Sequence, residues 1–202
     1  MQANRMRRIL GVTVMVAVGL SIGRANAAND RIVKGTVMLP PDAGSPHDAL
    51  VYLEGHIGSP TPTKMVIDQK DSTFIPHVVG VVVGGTVEFR NSDTILHNVF
   101  STSPAKHFDL GMFGRGESRT VSFDTPGMVE VRCNVHPKMH AFILVSENNY
   151  FATPDERGDF EINGLPAGRY KLHAWHEGFP EKETWVNLED ATLRTVEMRL
   201  QK

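Results

Sequence analysis

Beyond residue 28 no stretch of ten or more residues keeps a helical apolar period, whereas short runs rich in Val, Ile, Phe and Thr recur between clusters of Gly, Pro, Asn and Asp. Residues 78–83, 86–89, 119–123, 128–132 and 141–145 are such runs, each bounded by turn formers such as Gly84-Gly85 or Asn91-Ser92-Asp93. β-Branched and aromatic side chains suit a pleated backbone, and turns at this spacing fold strands back on one another. The chain is therefore expected to be all-β, a sandwich or barrel architecture. Its 202 residues suffice for one large domain or two small ones.

The first 27 residues follow a different logic. Arg5, Arg7 and Arg8 precede residues 9–23, which are mostly apolar and carry no charge, and Ala25-Asn26-Ala27 supplies a small-x-small cleavage pattern. Residues 1–27 read as a secretory signal cut after Ala27, which places the mature protein in the periplasm or otherwise outside the cytoplasm. An uncleaved anchor is the other reading, but the run is short of the roughly 20 apolar residues that a spanning helix needs. After cleavage no membrane span is expected. Without the four leader arginines, 17 Lys and Arg stand against 23 Asp and Glu, a formal charge of −6. No basic run remains that could neutralise phosphates, which argues against nucleic acid as a partner.

One Cys among 202 residues excludes an internal disulfide framework and any Cys-paired zinc site within the chain. An unpaired thiol is a liability in an oxidising compartment, so Cys133 is expected to be buried, paired between chains, reactive or metal-bound. Its neighbours favour the last. Cys133-Asn134-Val135-His136-Pro137-Lys138-Met139 sets a thiolate, an imidazole and a thioether on one loop between two strands. Upstream, His97 follows a strand and a polar turn. Two imidazoles with soft sulfur ligands suit copper, whose usual arrangement here is a His2Cys plane with a weak axial Met. His140, beside Met139, is the rival axial ligand, although adjacent strand residues face opposite ways.

The order of Phe74-Ile75-Pro76, residues 83–89, Asn91, His97-Asn98-Val99, residues 123–127 and Cys133 to Met139 resembles the cupredoxins. The amicyanin and plastocyanin group is the closest parallel, together with exported proteins of methylamine-utilisation type. The resemblance implies a Greek-key β-sandwich over residues 60–146 and one type 1 copper per chain, held by His97, Cys133, His136 and Met139. It implies single-electron transfer rather than enzymatic turnover, with a redox protein as partner, such as a c-type cytochrome or an exported dehydrogenase. It also implies that Asn98 ties the ligand-bearing loops together and orients the Cys133 sulfur. One departure is Val135, which stands where relatives place Pro. Its N–H is then a possible donor to the Cys133 sulfur, raising the potential.

The ends resemble a second family. Residues 34–39 and 49–55 look like the opening half of a carboxypeptidase-regulatory-like, transthyretin-like β-sandwich, and residues 157–170 look like its second half. The expected organisation is residues 30–58 and 147–202 as two halves of this smaller sandwich, with residues 60–146 inserted between them; a tandem arrangement is the alternative. Of the other histidines, His77 and His107 read as solvated, and His173 and His176 as strand residues on opposite faces. Residues 111–114, with Pro137 and Met139, are a candidate apolar rim around His136. Two other functions stay open: a copper-binding or delivery protein, and a copper enzyme with a modified axial ligand.

Overall fold

The computed structural model describes residues 30–202; the expected signal, residues 1–27, lies outside them. The described chain is all-β, with one short 3-10 turn at Pro46–Asp48. Among the described residues, no helix is long and apolar enough to cross a membrane.

Nine strands occupy the middle: β3 (Lys64–Lys70), β4 (Thr73–Ile75), β5 (Val78–Val82), β6 (Gly85–Asn91), β7 (His97–Ser103), β8 (Lys106–Phe113), β9 (Ser118–Phe123), β10 (Gly127–Arg132) and β11 (His140–Ser146). They form two sheets, ordered β5-β11-β10-β7-β8 and β4-β3-β6-β9. Ile67, Phe74, Phe89, Phe123, Val129 and Ile143 fill the space between them. Strand β6 alternates buried and outward residues, as expected of a sheet with one face in a core.

Seven further strands flank this unit: β1 (Arg31–Met38) and β2 (Ala49–Leu53) before it, and β12 (Phe151–Ala152), β13 (Asp159–Leu165), β14 (Arg169–His176), β15 (Lys182–Asn187) and β16 (Leu193–Arg199) after it. These too make two sheets, β13-β1-β16 and β12-β2-β14-β15. Lys34 pairs with Glu161 in one, and Tyr52 with His173 in the other. Val33, Val51, Ile162, Leu172 and Met198 form the core between them.

The four sheets stack in layers. Continuous apolar runs reveal why: every residue of β5 is buried, and all of β11 beyond His140 is buried as well. Val79, Val81, Ile143 and Val145 point into the nine-strand core, while Val78, Phe142 and Leu144 turn outward to meet Leu50, Tyr52 and Trp175 of the flanking sheet. A strand covered on both faces need not alternate.

Asn163 and Gly164 are turn formers by residue type, yet both belong to β13. The register slips there, with Val33 opposite Ile162 and Arg31 opposite Leu165, and Gly164 has φ 75°. Glycine reaches that left-handed conformation without strain, so the segment bulges and the strand continues.

Candidate metal centre

The ladder between β10 and β11 ends at the pair Arg132 and His140. One more backbone bond, Cys133 N–H to the Met139 carbonyl at 3.0 Å, closes the loop 133–139, and the Met139 N–H donates to the His136 carbonyl at 2.8 Å. Strand alternation sets the directions. Cys133 continues the inward row of Val129 and Val131, and Met139 begins the row of Ala141 and Ile143. Cys133 is 3% exposed and Met139 2%.

His97 arrives from β7, fully buried. Its Nδ1 lies 3.9 Å from the Cys133 sulfur, and the Nδ1 of the half-buried His136 lies at the same distance. The two imidazole centroids are 4.8 Å apart. The three donor atoms fall within 4.8 Å of one another, so His97, Cys133 and His136 form a His-Cys-His cluster.

Asp93 completes the geometry, and the sequence reading missed it. His97 Nε2 donates to Asp93 Oδ2 at 2.9 Å, which turns Nδ1 toward the sulfur. The Ser72 amide, the His97 ring and the Thr94 amide hold the Asp93 carboxyl down to about 2. Asn91 fixes the loop itself. Its Nδ2 donates to the carbonyls of Ile95 and Phe113, and its Oδ1 accepts the Asp93 amide. The available signal was a short polar turn four residues before a ligand candidate.

Two expected supporting roles are not seen. Asn98 Nδ2 donates to Asp109 on β8 at 2.7 Å, not to the Cys133 loop, because β7 pairs with β8 along this edge. The Asp109 carboxyl is held below its usual range by the Gly111 amide and by Asn98. Among the described residues, the polar partners of the Cys133 sulfur are the two imidazole nitrogens, and the Val135 amide is not one of them. Val135 instead exposes its side chain at the loop tip.

Of the expected rim, Met112 and Pro137 are exposed while Phe113 and Met139 are buried, and Ile95, Leu96 and Val135 are exposed around the same end of the sandwich. His140 points away from the cluster, with its ring against Glu177. His77 meets the same carboxylate. His107 is exposed. His173 and His176 are both buried, the first stacked on Tyr52 and the second beside the Ser45 and Glu177 carbonyls.

No protein-family model matches the chain, and no curated protein sequence does. Among solved structures it is similar to cupredoxins. A purple cupredoxin from Nitrosopumilus maritimus is 22% identical with a TM-score of 0.38, over 41% of this chain and 99% of the cupredoxin. Amicyanin from Paracoccus versutus is 20% identical with a TM-score of 0.38, over 45% of this chain and 95% of the amicyanin. The Cu-containing nitrite reductase from Thermus scotoductus is 23% identical with a TM-score of 0.40, over 55% of this chain and 28% of the reductase. The likeness assigns neither a ligand nor an activity to this chain.

Proposed function

We propose that this is an exported type 1 copper protein that carries single electrons between redox proteins, with copper held by His97, Cys133 and His136 and weakly by Met139. The observation that carries this reading is the pair of imidazole Nδ1 atoms, each 3.9 Å from one buried cysteine sulfur. Bonds of about 2.0 Å to nitrogen and about 2.3 Å to sulfur, roughly 120° apart, separate such atoms by about 3.7 Å. The donor set therefore fits a trigonal ion, and its softness fits copper. Copper supplies the one-electron couple.

The protein's own residues supply everything else. Asp93 holds His97 in the tautomer that offers Nδ1. Burial of Cys133 and His97 keeps water from the ligands, and the paired strands on either side restrain them from moving. Met139 is favoured over His140 because it begins the inward-facing row of β11, beside Cys133 in the same core, whereas the His140 ring meets Glu177. His136 is the one member of the cluster that reaches the surface, so electrons leave through it. Exposed Leu96, Met112 and Val135 surround that exit and suit a small, transient contact with a c-type cytochrome or an exported dehydrogenase. Buried ligands disfavour a delivery role, which needs exchangeable ones.

Residues 60–146 are read as the copper domain, inserted between the halves 30–58 and 147–202 of a carboxypeptidase-regulatory-like sandwich. Pairing of β1 with β13 and of β2 with β14 supports this organisation. The leader at residues 1–27 supports export to the periplasm. Voltammetry of the copper-loaded protein tests the function. A reversible wave of one electron per copper is expected, lost in Cys133→Ser, and the absence of any such wave contradicts the reading.

A further inference from the structure

A second cluster of ligating side chains lies between the two sandwiches, separate from the first. His77 Nε2 is 3.1 Å from Glu177 Oε2, and His140 Nε2 is 2.9 Å from Oε1 and 3.1 Å from Oε2 of the same carboxylate. One ligand atom from each residue lies within 4.8 Å of the other two. The imidazole centroids are 5.2 Å apart and nearly perpendicular, and both rings stand nearly perpendicular to the Phe142 ring. We propose that His77, His140 and Glu177 form a second transition-metal site that takes Cu(II) ahead of Zn(II).

The hydrogen bonding of His140 points to a ligand. Its Nδ1 lies 3.0 Å from the Lys138 carbonyl, an oxygen that can only accept, so Nδ1 carries the proton. Nε2 is thereby left facing the Glu177 carboxylate, where a cation can take the place of the proton between them. Histidine bound to metal through one nitrogen commonly donates the other N–H to a backbone carbonyl in this way. Nitrogen and oxygen ligands at about 2.1 Å, set near right angles, stand about 3 Å apart, which matches the observed spacings.

Position reinforces the chemistry. His140 and Phe142 share the outward face of β11, His77 directly precedes β5, and Glu177 follows β14. The His77 carbonyl accepts the Phe142 amide, and the His176 ring lies 2.7 Å from the Glu177 carbonyl, so the backbone on both sides is tied down. The side chains of His77 and His140 are each 25% exposed and that of Glu177 43%, which admits an ion from solvent and leaves room for water to complete its shell. Two imidazoles and one carboxylate suit late first-row ions, and among these Cu(II) binds such donors most tightly. An ion here clamps the flanking sandwich to the strand that begins one residue after Met139.

This site does not depend on the first, and the test separates them. Protein holding one equivalent of Cu(II) is titrated with further Cu(II) from copper sulfate and followed by equilibrium dialysis and EPR. A second equivalent is expected, with a wide copper hyperfine splitting and no growth of the visible charge-transfer band. His77→Ala and Glu177→Ala are each expected to weaken that equivalent by about tenfold or more, while the first equivalent and its band report an intact fold. Wild type that saturates at one equivalent, leaving an imidazolium–carboxylate ion pair only, overturns the proposal. So does a second equivalent that survives both substitutions. If no visible band appears at all, the electron-carrier reading falls, and the second site still stands or falls on the equivalent lost from His77→Ala.

Discussion

Asp93 holds the outer nitrogen of His97 at 2.9 Å, and this fixes which face of the imidazole meets the Cys133 sulfur. Partners of this kind typically tune metal affinity by about 10–100-fold. Asp93→Ala is therefore expected to weaken copper binding by that order, measured by competition with a chelator. Affinity within about twofold of wild type would show that core packing alone orients His97.

Met139 is buried beside Cys133, and replacing it with leucine conserves its volume, at a cost below about 1.5 kcal/mol. Loss of a weak thioether donor disfavours Cu(II) more than Cu(I). Met139→Leu is expected to keep the visible band and raise the reduction potential, read by spectroelectrochemistry. An unchanged potential would remove Met139 from the ligand set.

The legible and illegible parts of the molecule divide by sequence distance. Cys133 and His136 share one loop, and the Gly84 to Phe89 and His97 to Val99 segments frame it, so those candidates stand out. Residues 78–83 and 141–145 read as strands, and their failure to alternate records that both faces are covered, by Val79 and Ile143 on one side and by Phe142 and Leu144 on the other. Strand β8 escaped the sequence reading although Phe108, Leu110 and Met112 alternate with His107, Asp109 and Gly111, because polar residues and a glycine at an exposed edge also suit a loop. Glu177 lies 37 residues from His140 and 100 from His77. No local pattern marks such a cluster, and only the stacking of the sandwiches assembles it.

That stacking rests on Leu50, which is fully buried against Val78, Phe142 and Leu144. Leu50→Ala leaves a cavity between the sandwiches and is expected to cost about 2–5 kcal/mol in urea denaturation, with Trp175 in the same cluster as a fluorescence reporter. A change below about 0.5 kcal/mol would show that the layers are not packed through this residue.

Acid sensitivity follows from the turn at Asp155. The amides of Asp159 and Arg157, with the Arg157 guanidinium, hold the Asp155 carboxyl below its usual range. A folded-state value below the unfolded one adds stability that is fully present above about pH 4 and is lost as pH falls through the folded value. Asp155→Ala is expected to lower the Tm at pH 7 and to show a shallower fall in Tm below pH 4 than wild type. Parallel curves would contradict the assignment.

The central claim is that a cysteine thiolate and two histidines hold copper at one buried point. Optical and EPR spectra of the Cu(II)-loaded mature protein, beside those of Cys133→Ser, test it most directly. An intense visible thiolate-to-copper band with a narrow hyperfine splitting, both absent in Cys133→Ser, is the predicted result. Copper binding without that band, or a spectrum unchanged by the substitution, would contradict it.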